Sequence, residues 1–379
     1  MIDTKDKTEQ KVVFDTVEEA IKDFAAGKIV VVVDDDDREN EGDLIMSASK
    51  ATPEQVAFFI RHTSGILCTP LTIEEARRLR LDPMVSHNDA PLSTAFTVSV
   101  DYKEGLTTGI SAEERCSTIR ALANGNAGAD DFVRPGHIFP LIAKDGGVLV
   151  RSGHTEAAID LAKLAGLPPA GLLAELVNDE GSVKRLPELI PFAHEHNLKL
   201  ISIADLIAFR QRSEKLVERQ GEFEIETDIG PAKAISFRTP FDSVDHLAVI
   251  VGAVGDGEEV PVRIHRERII YDVFGPSIKR EKSYIARALR RFQAEGKGVL
   301  VYLRDGSAGV PAAQLQSGGE NAQEDKRKEQ WKNVGIGAQI LRDLGVNSIR
   351  LLETKHRHYV GLSGFGIDIK ATEIIDQST

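Results

Sequence analysis

Ile29-Val30-Val31-Val32-Val33-Asp34-Asp35-Asp36-Asp37-Arg38-Glu39-Asn40-Glu41-Gly42-Asp43 sets five β-branched residues against a segment in which seven of ten side chains are carboxylates. An unbroken β-branched run reads as a strand buried on both faces, because a half-exposed strand would show a polar residue at every second position. The run stops abruptly at Asp34, so the acidic segment is a loop at a strand tip. Acidic runs are ordinarily solvated surface. Loops at the ends of buried strands, however, are where α/β proteins place ligands. An arginine embedded among carboxylates suits a site for both a divalent cation and a phosphate. The hard oxygen donors favour Mg2+.

Outward from this strand, helix starts are marked by capping boxes, in which a Ser or Thr accepts from an early amide and a Glu or Gln three residues on returns the bond. Thr16/Glu19, Thr52/Gln55, Thr72/Glu75 and Ser111/Glu114 fit. Phe96 to Val100 and Gly147 to Val150 read as further strands, and Ser202 to Arg210 as a closing helix with Ile203, Leu206 and Ile207 on one face. Strands and helices alternate, which predicts a mixed α/β layer structure. From Gln211 to Lys215 the pattern becomes polar without an apolar period, placing a domain boundary near residue 213 and dividing the chain into 1–213 and 214–379. The second half carries strand signals at His246 to Val251 and Gly298 to Leu303. Its helix signals lie at Tyr284 to Glu295 and Ile336 to Leu344, and a polar run from Gln314 to Lys332 reads as a mobile loop.

At 379 residues the chain exceeds one ordinary core. With 41% hydrophobic and 28% charged residues it has the composition of a soluble globular protein. No stretch approaches the roughly 20 apolar residues of a membrane span. The opening Met1 to Gln10 lacks the basic and apolar regions of a secretory signal, and Cys68 and Cys116 are the only cysteines. A cytoplasmic, disulfide-free protein is expected. A net charge of -12 disfavours nucleic acid and anionic membranes as partners, leaving a small molecule.

Two further segments carry chemistry. Arg134-Pro135-Gly136-His137 and Arg151-Ser152-Gly153-His154-Thr155-Glu156 repeat a Gly-His pair within twenty residues. A lone histidine is more often structural than catalytic. Here the glycines permit close ligand approach, Arg151 can fork a phosphate, His154 can ligate a metal and His137 can move protons. Arg61 to Cys68, Thr107 to Ser111 and Glu175 to Asp179 add polar groups beside apolar runs. Glu175 follows Leu172-Leu173-Ala174, so burial could lift it into the acid–base range.

Six ordered blocks, D-R-E-N-E-G-D at 37–43, H-T-S-G-I at 62–66, T-A-F-T-V-S-V-D at 94–101, T-T-G-I-S-A at 107–112, R-P-G-H at 134–137 and G-H-T-E-A at 153–157, make residues 12 to 210 resemble the 3,4-dihydroxy-2-butanone-4-phosphate synthase family. Asp36 and Glu114 depart from the family's usual Glu and Asp while keeping the charge. The resemblance implies that Glu39 and His154 hold Mg2+ or Mn2+, two ions per active site. Arg38, Asp43, Thr107, Arg151, Ser152, Gly153 and Thr155 would bind substrate, and His137 and Glu175 would be catalytic. It further implies a homodimer with composite sites that converts ribulose 5-phosphate to 3,4-dihydroxy-2-butanone 4-phosphate and formate in riboflavin biosynthesis.

Residues 219 to 378 resemble GTP cyclohydrolase II through Asp272-Val273-Phe274-Gly275, Gly298 to Arg304 and Gly335 to Gly345. A smaller α+β domain is implied. That family fixes zinc with three cysteines, whose positions align here with Arg268, Lys279 and Glu281. Its E-G-R-G-I-G loop reads Gly306 to Pro311, its R-x-Y falls on Lys332-Asn333-Val334, and its N-N-P-x-K falls on Thr354 to His358. No zinc and no GTP cyclohydrolase II activity are expected. The second half is then a structural or assembly domain, a ligand-sensing or partner-binding module, or a different hydrolase. Lys355-His356-Arg357-His358 would suit an anion, although a solvated basic loop is the commoner outcome.

Overall fold

The structure, a computed structural model, describes residues 14–35, 38–92, 94–240, 244–268, 272, 284–304, 335–353 and 366–375. Asp36, Lys279, Glu281, Gly306 to Pro311, the polar run 314–332, Lys332 to Val334 and the basic cluster 355–358 lie outside these residues. Two compact units divide between Ile207 and Ala208.

In the first unit the valine run forms strand β1, Val30–Val33, buried at every position. It pairs antiparallel with β2, Gly42–Ser47, and parallel with β7, Lys199–Ser202. With β3, Cys68–Leu71, β4, Val100–Tyr102, β5, Phe132–Ile142, and β6, Gly171–Glu175, they make a seven-stranded mixed sheet. Its order is β4-β5-β3-β6-β2-β1-β7. Each fully buried valine contributes on the order of 1.5–3 kcal/mol of hydrophobic stabilisation, so the run fixes β1 in the interior. Because Val33 pairs with Gly42, the acidic segment is the connection of this β1–β2 hairpin.

The helices are α1, Val17–Ala25, α2, Pro53–His62, α3, Ile73–Arg78, α4, Ala112–Leu122, α5, His154–Leu164, α6, Leu186–Glu195, and α7, Ile203–Ser213. Thr16, Thr52 and Ser111 complete reciprocal capping boxes. Thr72 accepts from the Glu75 amide, but the Glu75 carboxylate is taken by Arg78, at 2.6 Å, instead of returning to the cap.

Three expectations are corrected. Gly147 to Val150 is not a strand: Gly147–Leu149 is a 3-10 turn after two positive-φ glycines, and the Val148 amide donates to buried Asp160 at 2.8 Å. Phe96 and Thr97 make only isolated bridges, and the strand proper begins at Val100. The polar residues 211–213 continue α7, where Gln211 is buried. Gln339 donates to the Gln211 and Glu214 carbonyls and accepts from the Leu216 amide, at 2.6–2.8 Å. A buried amide caps this helix end, which leaves no apolar period to read.

The second unit has strands β8, Glu218–Thr227, β9, Gly230–Arg238, β10, His246–Gly252, β11, Val260–Arg266, β12, Lys297–Leu303, β13, Ser348–Glu353, and β14, Asp368–Ile374. They form one mixed sheet in the order β14-β13-β11-β12-β10-β9-β8. Alternation along β10 sorts its side chains to two faces. Ala248 and Ile250 join Ile336, Ile340 and Leu341 of a helix covering 335–343, while Val249 and Val251 join Ala288, Leu289 and Phe292 of α8, Tyr284–Glu295. A helix on each face makes this unit α/β as well. No described helix is long and apolar enough to cross a membrane.

Candidate active site

The β1–β2 connection closes on its first residue. Asp34, buried at the tip of β1, accepts from the Glu41 amide at 2.9 Å, the Glu39 amide at 3.1 Å and the Arg38 guanidinium at 2.8 Å. Arg38 also bonds Glu39. Asn40 takes the turn at φ 53°, a left-handed conformation that asparagine tolerates better than most non-glycine residues. One carboxylate thereby gathers two amides and a cation, and Glu39 is turned towards the start of α5.

His154 opens α5 and is buried. Its Nε2 lies 3.1 Å from the Val32 carbonyl. A carbonyl only accepts, so Nε2 carries the hydrogen and Nδ1 keeps its lone pair. That lone pair faces carboxylates, with Nδ1 3.8 Å from Asp43 Oδ1 and 4.0 Å from Glu39 Oε2. Burial, opposed by Asp34, lowers the His154 pKa to about 4, keeping the ring neutral. Ligand atoms of Asp34, Glu39 and His154 lie within 4.8 Å of one another. Asp43 Oδ1 is buried with no hydrogen-bond partner. Hard carboxylate oxygens, a neutral imidazole and an orphaned acceptor together fit a divalent cation.

Asp43 pairs across the sheet with Glu175, at the end of β6. Burial foremost, then Glu175, Glu41 and Glu39, push the Asp43 pKa well above the usual carboxylate range. Burial, then Glu39 and Glu175, raise Glu41 to about 7, and burial raises Glu39. Ser64 donates to Glu175 at 2.6 Å. Burial, with Glu175 and Asp43 nearby, raises the Cys68 thiol.

Arg151 is held from two sides. It donates to Glu156 at 2.6 Å, the Leu92 carbonyl at 3.2 Å and Thr94 at 3.0 Å. Glu156 is almost wholly buried and also accepts from the Lys144 amide. A Cβ on Gly153 would come within 2.5 Å of the Arg151 guanidinium, so any larger residue there would displace that side chain. Arg151 still acts electrostatically on Glu39 and His154. Ser152 and Gly153 lead into α5, Thr155 is buried in its first turn, and the helix N-terminus has no side-chain cap.

His137 and Thr107 belong to a second cluster. His137 Nδ1 lies 2.7 Å from Asp101 Oδ2, and its amide donates to Asp101 Oδ1 at 2.9 Å. Thr107 donates through amide and hydroxyl to Glu114, whose pKa falls to about 2 through those bonds. Gly109, at φ 83°, leaves no room for a Cβ beside Asp101 and His137. His137 stands two residues before Phe139 and Glu175 two residues after Leu173, and both Phe139 and Leu173 pair with Cys68. The two side chains therefore share one end of the sheet, on strands separated by β3.

Arg38, Glu39, Asp43, His154, Glu175 and Arg151 thus converge from segments far apart in sequence, while His137 and Thr107 have their contacts elsewhere. The sequence reading gave no individual role to Asp34, Asp101 or Glu156, nor to Arg185, whose guanidinium donates to the Glu39 and Asn40 carbonyls. Asp34 and Asp101 each close a β-branched or aromatic run, a signal that could have marked them. Glu156 sits within a quoted block, and Arg185 carries no local signal.

Clustered carboxylates around a buried imidazole at one end of an α/β sheet have the make-up of a divalent-cation acid–base site. Residues 18–209 match the protein family described as 3,4-dihydroxy-2-butanone 4-phosphate synthase, and residues 218–374 match GTP cyclohydrolase II. The riboflavin biosynthesis protein RibBA of Nocardia farcinica is 50% identical over 370 residues, covering 94% of this chain and 89% of its own. The monofunctional riboflavin biosynthesis protein RIBA 2 of Arabidopsis thaliana is 48% identical, covering 94% and 76%. Among solved structures, RibBX of A. baumannii, a two-domain 3,4-dihydroxy-2-butanone 4-phosphate synthase, has 37% identity and a TM-score of 0.78, covering 94% of this chain and all of its own. A 3,4-dihydroxy-2-butanone 4-phosphate synthase in complex with two magnesium ions has 43% identity and a TM-score of 0.52, covering 53% of this chain. The chain belongs to the 3,4-dihydroxy-2-butanone 4-phosphate synthase family, with a GTP cyclohydrolase II-family unit following the synthase unit.

Proposed function

We propose that the first unit converts ribulose 5-phosphate to 3,4-dihydroxy-2-butanone 4-phosphate and formate in riboflavin biosynthesis, in the cytoplasm. The observation that carries this reading is the unprotonated Nδ1 of His154 facing Glu39 and Asp43. Glu39 and His154 would hold Mg2+ or Mn2+, with Asp34 close enough to assist. A bound cation would polarise the substrate ketone and acidify its neighbouring carbon. The four-carbon phosphate and formate together contain every carbon, hydrogen, oxygen and phosphorus atom of ribulose 5-phosphate, so the step is an internal redistribution that needs no oxidant, reductant or other co-reactant.

The residues must then move protons repeatedly. Glu175, held by Ser64 and facing Asp43, is placed to accept one. Glu41, which changes charge near neutrality, can keep or release one. Asp101 orients His137, which would serve as a second acid–base group. Arg38, Asp43, Thr107, Arg151, Ser152, Gly153 and Thr155 are assigned to substrate. Arg151 beside the uncapped start of α5 suits a phosphate. A homodimer with composite sites is part of this reading. Formate release from ribulose 5-phosphate tests it: release should require Mg2+ or Mn2+ and cease with chelator. Undiminished release by Glu39→Ala would remove the metal assignment.

For the second unit we propose no zinc and no turnover of GTP. Both cysteines of the chain are buried in the first unit, and Arg268 stands at the first thiolate position. These residues do not fit a thiolate zinc centre. The unit instead supports the synthase through assembly, with ligand sensing as the alternative. Elemental analysis showing one zinc per chain, or hydrolysis of GTP, would overturn the first claim. Equal activity, melting temperature and oligomeric mass for residues 1–213 and the full chain would overturn the second.

A further inference from the structure

We infer that Arg185 is the positioning residue of the metal-binding loop, fixing the Glu39–Asn40 main chain so that the Glu39 carboxylate is presented before a cation arrives. The inference rests on the assignment of Glu39 as a metal ligand. Its basis is one guanidinium nitrogen: Arg185 Nη1 donates to both the Glu39 and the Asn40 carbonyls, 146 and 145 residues away. These are charge-assisted bonds, and two carbonyls converging on one donor leave the turn little rotational freedom.

Asp34 holds the same loop from within the hairpin. Asp34 collects the amides of Glu39 and Glu41 from one side of the turn. The Glu39 and Asn40 carbonyls are taken by Arg185 instead. Asn40 at φ 53° costs about 1 kcal/mol relative to ordinary backbone, a strain that persists where surrounding contacts hold the chain. Arg185 supplies such contacts and brings a positive charge beside Glu41, in a cluster where five carboxylates, Asp34, Glu39, Glu41, Asp43 and Glu175, repel one another.

The side chain has no competing duty in its own helix. Arg185 is the N-cap of α6, and the Glu188 carboxylate returns to the Arg185 amide at 2.9 Å. Helix entry is thus secured without the guanidinium. Neighbouring Lys184 is committed to Asn178 at 2.6 Å, and Asn178 to Glu188 at 3.0 Å. The segment between β6 and α6 is therefore a braced platform from which Arg185 reaches the loop. Arg185 is exposed, so its replacement removes no core packing.

The test is Mn2+ binding to the full-length metal-free protein, read by electron paramagnetic resonance of free Mn2+, for native protein, Arg185→Met, Arg185→Lys and Glu39→Gln. Circular dichroism controls for folding. Removing an outer partner of a metal ligand typically costs about 10- to 100-fold in affinity, so Arg185→Met is expected to weaken Mn2+ binding at least about tenfold. Arg185→Lys, which keeps the charge on a shorter side chain without the rigid planar guanidinium, is expected between that variant and native protein. Native Mn2+ affinity in Arg185→Met overturns the inference. Full native affinity in Arg185→Lys reduces the role to charge and overturns the positioning claim. Native affinity in Glu39→Gln instead overturns the metal assignment, and the inference with it.

Discussion

Glu41→Gln should make the metal-free protein more stable, and by an amount that grows with pH. The Glu41 carboxyl ionises at about 7 in the folded chain against 4.5 for an ordinary glutamate, chiefly because of burial and then Glu39 and Glu175. A folded pKa raised above the unfolded one favours the folded state at low pH, and that contribution is lost as pH rises through about 7. Integrating between these two values gives a destabilisation of roughly 3.4 kcal/mol at pH 8 and roughly 0.8 kcal/mol at pH 5. Because Glu41 is partly exposed, solvent screening is taken to halve both, leaving about 1.7 and about 0.4 kcal/mol. Glutamine carries no charge at either pH. For a unit of this size about 1.7 kcal/mol corresponds to roughly 3–7 °C in melting temperature. Scanning calorimetry of chelator-treated protein at pH 8 and pH 5 measures it directly, and saturating Mg2+ should narrow the difference. Equal shifts at both pH values, or a destabilised variant at pH 8, would refute the account of the carboxylate cluster.

Other outcomes follow from geometry. Asp101→Asn should lower kcat about 10- to 100-fold with little change in KM, because it disturbs the ring and main-chain bonds that orient His137; a steady-state comparison decides. Gly109→Ala should produce the same kcat defect, since its Cβ would meet Asp101 Oδ2 at 2.2 Å and its φ of 83° adds about 1 kcal/mol of backbone strain. Thr52→Ala should cost about 1 kcal/mol in urea unfolding by removing the cap of α2, with turnover unchanged.

The parts of the fold legible in the sequence were those written in short-range pattern. The valine run gave β1, the capping boxes gave the starts of α1, α2 and α4, and α8 has the bounds its apolar period implied. What failed was governed by distant partners. Gly147 to Val150 is apolar enough for a strand, but Asp160, thirteen residues on from Gly147, holds it as a turn. The site divides the same way. Glu39, Asp43 and His154 stand in dense motifs, and the sheet register brings Glu175 to Asp43. Arg185 could not be read from its neighbours, because its meaning lies in two carbonyls contributed by another hairpin.

The bond from His154 Nε2 to the Val32 carbonyl also gives the site its own reporter. A buried imidazole hydrogen on a strand carbonyl exchanges slowly with water, so it should appear as a single resolved low-field proton resonance. That signal would shift when Nδ1 gains a cation and broaden if the ion is paramagnetic. Occupancy of the centre can then be followed without substrate, product or an attached label.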